Sequence, residues 1–333
     1  MNMAPLGMPA DAGHEEITRQ ALLLAGELDP ESRKILDAAA VESITLGNYA
    51  TDLPNGPYPV SLNVYWGFPA GTDWNNPVGQ HLHFLRDYVD STTLASAYDV
   101  CKSARESIAR VSRDAEKMWQ TADHEKSLFL LGHATHIIQD SFSPAHAIRG
   151  AKEQNNDIQD VCYYPDGAGP ETSAEEICFH KAVDPRDRIW LEKWDADELA
   201  RSQHEWGESG DGVTPVDNLS EFDLNDETEA SRRSHLKHEA RLARIATAKY
   251  IDLILTDIRK RGQDENYDVD YQLLNERLTK QLFEGGADLP VIGKVMPSGV
   301  MRCEGLSKNQ VRLDRKTAMP RVPISPDLVN PSW

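Results

Sequence analysis

Residues 128–140, LFLLGHATHIIQD, constrain this chain more than any other stretch. The segment is apolar on almost every side, and a helix that is apolar all round has to lie inside the protein. The exceptions are His133, His136 and Asp140, whose i, i+3, i+7 spacing sets them on one helical face. Polar groups buried there must be paired or bound, because leaving one unsatisfied costs about 1–3 kcal/mol. The pattern breaks at Ser143-Pro144, and His146 follows just past the break. A lone histidine in such a place is ordinarily a structural residue beside a helix stop. Here four ligand-type residues fall within fourteen positions. Imidazole nitrogen together with carboxylate oxygen suits zinc or a similar borderline cation.

The remaining elements are read around that helix. A first helix starts at Gly13-His14, with Ile17, Ala21, Leu24 and Leu28 as its buried stripe and His14 in its first turn. A second runs through residues 31–53, stopped by Pro54-Asn55-Gly56-Pro57, and delivers Asp52 where the chain turns into a loop. Residues 53–80 form a loop rich in Pro, Gly and aromatic rings, among them Tyr58, Tyr65, Trp66, Phe68 and Trp74. Such rings usually pack a long loop down; lining a substrate pocket is the alternative. His81 and His83 come next, then helical patterns over about 91–120 and 124–142, and a long helix at about 226–261. Between 148 and 230 the periodicity weakens, and nine acids fall between Glu205 and Glu229. That stretch reads as a solvated insertion.

The absence of strand–helix alternation predicts an all-α fold. Residues 1–262 read as one multi-helix domain carrying the insertion, and residues 263–333 as a C-terminal extension or small module, net basic from 300 onward. The 333-residue length suits one large domain with embellishments or two domains. A net charge of −19 argues against electrostatic capture of duplex nucleic acid over a broad face. It leaves room for phosphate substrates bridged by divalent cations, which invert the local field. The four cysteines, at 101, 162, 178 and 303, lack the CxxC spacing of a cysteine zinc site. Cys162 and Cys178 would staple one loop in an oxidising compartment. Residues 1–13 contain neither a basic n-region nor an apolar run of leader length.

Taken in order, these pieces resemble the zinc-dependent bacterial phospholipases C and the related fungal single-strand nucleases. His136, Asp140 and His146 are similar to the family's H-x3-D-x5-H after an apolar helix. Gly13-His14-Glu15-Glu16-Ile17 resembles its early G-H-x-x-[IV], Tyr49-Ala50-Thr51-Asp52 its aspartate at a helix end, and Leu82-His83-Phe84 its [SL]-H-F. The last pairing favours His83 over His81. A closing H-x3-[DE] is matched by spacing at His180/Asp184, His204/Glu208 and His235/Glu239; the first pair follows the central motif after a loop, as in the family, and is preferred. The resemblance covers about residues 13–260.

That resemblance implies an all-helical fold holding two or three zinc ions at the base of a cleft. One zinc would be held by Asp52, His83, His136 and Asp140, a second by His146, His180 and Asp184, and a third by His14 and Asp140. His133 has no counterpart in the motif and is read as a supporting or core residue. In the family the third zinc is also chelated by an N-terminal Trp; no Trp precedes His14 here. The expected activity is phosphodiester hydrolysis by attack of a zinc-bound water on phosphorus, with Asp52 as ligand and general base. A phospholipase C acting on phospholipid at a membrane surface, releasing diacylglycerol and a phosphorylated headgroup, is favoured because the acidic chain has no evident basic track. A nuclease for single-stranded DNA or RNA, stacking bases on the loop aromatics, is the alternative. A non-catalytic, metal-stabilised interaction protein is a third reading. Export is the expected setting, with retention inside the cell as the alternative, and the chain is read as a monomer.

Overall fold

The structure is a computed structural model and describes residues 13–52, 80–90, 92–143, 146–149, 157–163, 238–263, 271–283, 289–291, 294–296 and 301–312. Helices dominate this set, and the strands are only two to four residues long. The predicted helical class therefore holds at that coarse level.

Helix α1 (Gly13–Leu28) buries Ile17, Ala21 and Leu24 of its expected stripe, with Leu22 and Ala25 beside them, while Leu28 is only partly buried. The helix expected over 31–53 is instead two. Short α2 (Pro30–Arg33) is capped by Asp29, whose carboxylate accepts from the Glu31 N–H, and α3 spans Ala38–Asp52. The break has a local cause. Asp37 accepts the Ala40 N–H at 2.9 Å, so a cap residue begins a new helix where the apolar pattern alone reads through.

The helix expected from about 91 is likewise shorter. Strands β1 (Tyr88–Asp90) and β2 (Thr93–Leu94) pair first, and α4 (Ala97–Gln120) starts only after Ser96, whose hydroxyl caps the Asp99 N–H. The central helix is α5 (His124–Asp140), in which every residue from Ser127 to Asp140 is buried. It packs against α3, α4 and α6 (His238–Gln263), and α1 lies across α3 and α6. The part of the expected final helix before 238 lies outside the described residues.

Two glycines set how closely α3 and α5 meet. A Cβ built on Gly132 would stand 2.1 Å from the Ile44 carbonyl oxygen and 2.7 Å from Gly47 Cα, and one on Gly47 would stand 2.0 Å from the Phe129 carbonyl oxygen. Only hydrogen fits at either position. The crossing thus brings the end of α3, with Asn48 and Thr51, against the polar face of α5.

Beyond α5, β3 (Ala147–Arg149) and β4 (Ile158–Val161) form an antiparallel pair. In the C-terminal segment, α7 (Tyr271–Leu278), a π-helical turn (Thr279–Phe283) and residues 301–306 add Leu274, Leu278, Leu282, Phe283, Met301, Cys303 and Leu306 to the same core. Strands β5 (Leu289–Val291) and β6 (Lys294–Met296) pair with each other, while β7 (Val311–Arg312) extends the β1–β2 sheet. A disulfide between Cys101 on α4 and Cys303 ties this segment to the helices. Cys162 is also disulfide-bonded; Cys178 lies outside the described residues. Among those residues no helix is long and apolar enough to cross a membrane.

Candidate metal centre

Asp140 is the last residue of α5 and has no exposed surface. Four imidazoles from four segments surround its carboxylate. His14 Nε2, from the first turn of α1, stands 3.1 Å from Oδ1. On the other oxygen, His136 Nε2 lies at 3.0 Å, His83 Nδ1 at 3.4 Å and His146 Nδ1 at 3.8 Å. All four rings are buried, His14 being the most open at 6 %.

Local sequence places each ring. His136 and Asp140 are i, i+4 neighbours on α5. His83 ends a 3-10 turn (Gln80–His83), and the next residue, Phe84, is left-handed at φ 51° with its ring wholly buried. A bulky residue in that region is unusual and its strain has to be held by surrounding packing. Buried Arg86 anchors the far side of the turn. Its guanidinium donates to the Val161 and Ala95 carbonyls, each at 2.7 Å, and to the Asp160 carboxylate. His146 is placed by backbone bonds, its N–H donating to Ser143 O at 3.0 Å and its carbonyl accepting from Cys162 N at 2.8 Å. Its Nδ1 donates to the His83 carbonyl. A carbonyl can only accept, so Nδ1 carries the hydrogen and Nε2 is the nitrogen His146 can offer a ligand.

The arrangement suits a cation. His83 Nδ1 and His136 Nε2 are 3.2 Å apart, and with Asp140 Oδ2 at 3.4 and 3.0 Å they form a triangle. Zinc bonds of 2.0–2.1 Å in a tetrahedron place neighbouring ligand atoms about 3.3 Å apart. His14, His136 and Asp140 also offer one ligand atom each, all within 4.8 Å of one another. Asp140 therefore has donors on both of its oxygens. Burial would raise the Asp140 pKa, but the charges of His136 and His146, with the contact from His136, outweigh it. The carboxyl is held well below its usual range.

The other residues singled out by sequence fall in different places. His81 turns away and pairs with Asp87 at 2.8 Å. His133 lies on the same face of α5 but bonds to Thr51 Oγ1 at 2.6 Å. Burial first, then the charges of His136 and His83, push its pKa down to about 3, so it stays neutral. Asp52 closes α3, directly after Thr51; its side chain is outside the described residues, as are His180, Asp184, the alternative pair at 204/208, His235 and the side chain of Glu239, whose backbone lies in the first turn of α6. The aromatic loop at 53–79 and the acidic stretch lie outside them too.

Sequence reasoning missed the polar residues that support the ring of ligands. Gln139 Oε1 accepts from His14 Nδ1 at 2.8 Å, Gln139 Nε2 donates to Thr18 at 2.8 Å, and Asn48 Nδ2 donates to Thr135 at 2.9 Å. The signal was there: Thr135 and Gln139 are polar residues on a helix apolar nearly all round. Compared with protein-family models, with curated proteins and with solved structures, the chain matches none.

Proposed function

We propose that this chain is a zinc-dependent phosphodiester hydrolase acting as a phospholipase C, which cleaves phospholipid to diacylglycerol and a phosphorylated headgroup. The observation that carries the reading is the convergence of His14, His83, His136 and His146 on Asp140. These are all the expected ligands whose side chains are described, drawn from motifs scattered over 133 residues of sequence (146 − 14 + 1).

His83, His136 and Asp140 would hold one ion, His14 and Asp140 a neighbour, and His146 a further one through Nε2. Ions held there supply positive charge to the phosphoryl oxygens and lower the pKa of a bound water. The protein's part is to fix the donors before substrate arrives, in a buried setting where electrostatic effects are large. Asp52, at the end of α3, remains the proposed general base. The Cys101–Cys303 disulfide supports an oxidising, exported setting.

The test combines metal content by mass spectrometry with turnover of phosphatidylcholine vesicles and of single-stranded DNA, each with and without chelator. Headgroup release that is lost on chelation and in His136→Ala is the expected result. Nucleotide release without lipid turnover overturns the lipase assignment in favour of the nuclease. Full metal occupancy with neither activity would leave a metal-stabilised binding protein.

A further inference from the structure

We infer that Gln139 is a positioning residue that selects which nitrogen of His14 faces Asp140, presetting His14 Nε2 as a metal donor. The inference rests on the metal-site reading above. It follows from a chain of hydrogen bonds whose direction cannot be reversed, because it starts at a backbone carbonyl.

Thr135 Oγ1 gives its one hydrogen to the Gly132 carbonyl at 2.7 Å. Toward Asn48, 2.9 Å away, the hydroxyl can then only accept, so Asn48 presents Nδ2. The same amide nitrogen reaches Gln139 Oε1 at 3.3 Å. Gln139 is thereby oriented with its oxygen toward Asn48, and its own Nε2 reaches Thr18 Oγ1 at 2.8 Å. His14 Nδ1 points into that same oxygen at 2.8 Å. An amide oxygen accepts and never donates, so Nδ1 must carry the hydrogen. A neutral imidazole has one N–H. Its Nε2 therefore turns a lone pair toward Asp140 Oδ1, 3.1 Å away.

This differs from an ordinary buried His–Asp pair. There a neutral ring donates its N–H to the carboxylate and both are satisfied. Here the relay reserves the hydrogen for Gln139, and the lone pair faces an anion. Only a positive charge shared by Nε2 and Oδ1, a proton or a metal ion, relieves the repulsion. Thr18, Asn48 and Thr135 have no exposed surface and Gln139 is 2 % exposed, so the relay is closed to bulk water. Its members come from α1, α3 and α5, and the glycine crossing of α3 and α5 is what brings Asn48 within reach of Thr135 and Gln139. Gln139 adjoins Asp140 in sequence yet reaches back to a helix more than a hundred residues earlier.

The test uses the full chain labelled with nitrogen-15 histidine, as wild type, Gln139→Leu and Gln139→Glu. Leucine keeps the bulk and removes the acceptor; glutamate retains an acceptor for His14. Zinc affinity is read by competition with a chromophoric chelator, and the protonated nitrogen of His14 by long-range proton–nitrogen correlation on the zinc-loaded protein. The expected result is a wild type with the hydrogen on Nδ1. Gln139→Leu should bind one zinc equivalent 10–100-fold more weakly, and Gln139→Glu should recover most of the loss. If Gln139→Leu does not fold, Thr135→Val is measured in its place and should show a smaller loss in the same direction. Unchanged affinity in the variant measured, or a wild-type His14 carrying its hydrogen on Nε2, overturns the inference alone. A wild type that takes up no zinc overturns the metal-site reading and the inference with it.

Discussion

Replacing Gly132 by alanine tests the packing that the whole site depends on. In the middle of an exposed helix this change would stabilise, by roughly 0.5–1 kcal/mol, through lower backbone entropy in the unfolded chain. Here the new Cβ would stand 2.1 Å from Ile44 O, 2.6 Å from Asn48 N and 2.7 Å from Gly47 Cα. Real Cβ contacts essentially never fall below 3.0 Å, so α3 and α5 must separate by at least 0.9 Å (3.0 − 2.1) along the worst contact. All three obstacles are backbone atoms in helices, and no side-chain rotation can relieve them. Overpacking of this kind costs about 1–3 kcal/mol or more; with rigid backbone on both sides the upper end applies, leaving a net loss of about 2 kcal/mol or more. For a chain this size that is a fall in Tm of about 3 °C or more. Separation also draws Asn48 away from Thr135 and Gln139, so zinc affinity should fall with stability. The assays are calorimetric or circular-dichroism melting and chelator competition. Gly26→Ala is the control, since its Cβ would stand 3.3 Å from Arg33 Cβ with no contact under 3.0 Å, and it should cost far less than Gly132→Ala. A Gly132→Ala protein that melts at or above the wild-type temperature refutes the close crossing.

Two further outcomes follow from the same structure. The Cys101–Cys303 disulfide spans a sequence separation of 202 residues and both sulfurs are buried. Replacing both by serine should lower stability by about 2–5 kcal/mol, read as a drop in the denaturant midpoint, and reductant should then have less effect on the variant than on wild type. His133, with its pKa pushed down to about 3 in the fold, binds a proton in the unfolded chain from about 6.5 downward. The unfolded state thus takes up more protons, and stability present above pH 6.5 is lost as pH falls toward 3. In metal-free protein the stability advantage of wild type over His133→Gln should shrink by about 1.4 kcal/mol per pH unit below 6.5, measured by urea unfolding at pH 5, 6 and 7. A constant difference would refute the neutral, buried assignment.

Much of the site is legible in the sequence because its chemistry is locally encoded. His136 and Asp140 share a face by helical spacing alone, and the all-round apolar character of α5 states that this face is buried. His14 and His83 stand out only through their motifs, and their approach to Asp140 is a property of the fold. What misled the reading was short-range competition: Asp37 and Ser96 each cap a new helix where hydrophobic periodicity ran on, since one side-chain hydrogen bond at a helix start outweighs a weak continuation of pattern.

The sequence by itself determined which groups could bind a metal and that the helix carrying two of them must be interior. Tertiary structure alone decided what those groups see. Four rings separated by up to 132 positions meet one carboxylate because α1 and the Gln80–His83 turn both pack on α5 and the chain after α5 folds back to the same end. His81 and His83, two residues apart, go to an aspartate at the loop and to the centre because positions two apart on a 3-10 turn face different sides. Gln139 reads in sequence as one more polar residue on a helix; only the packing of α1 and α3 on α5 gives it partners. A hydrogen bond's direction, and with it the nitrogen a histidine offers, is set by atoms that meet only in the folded chain.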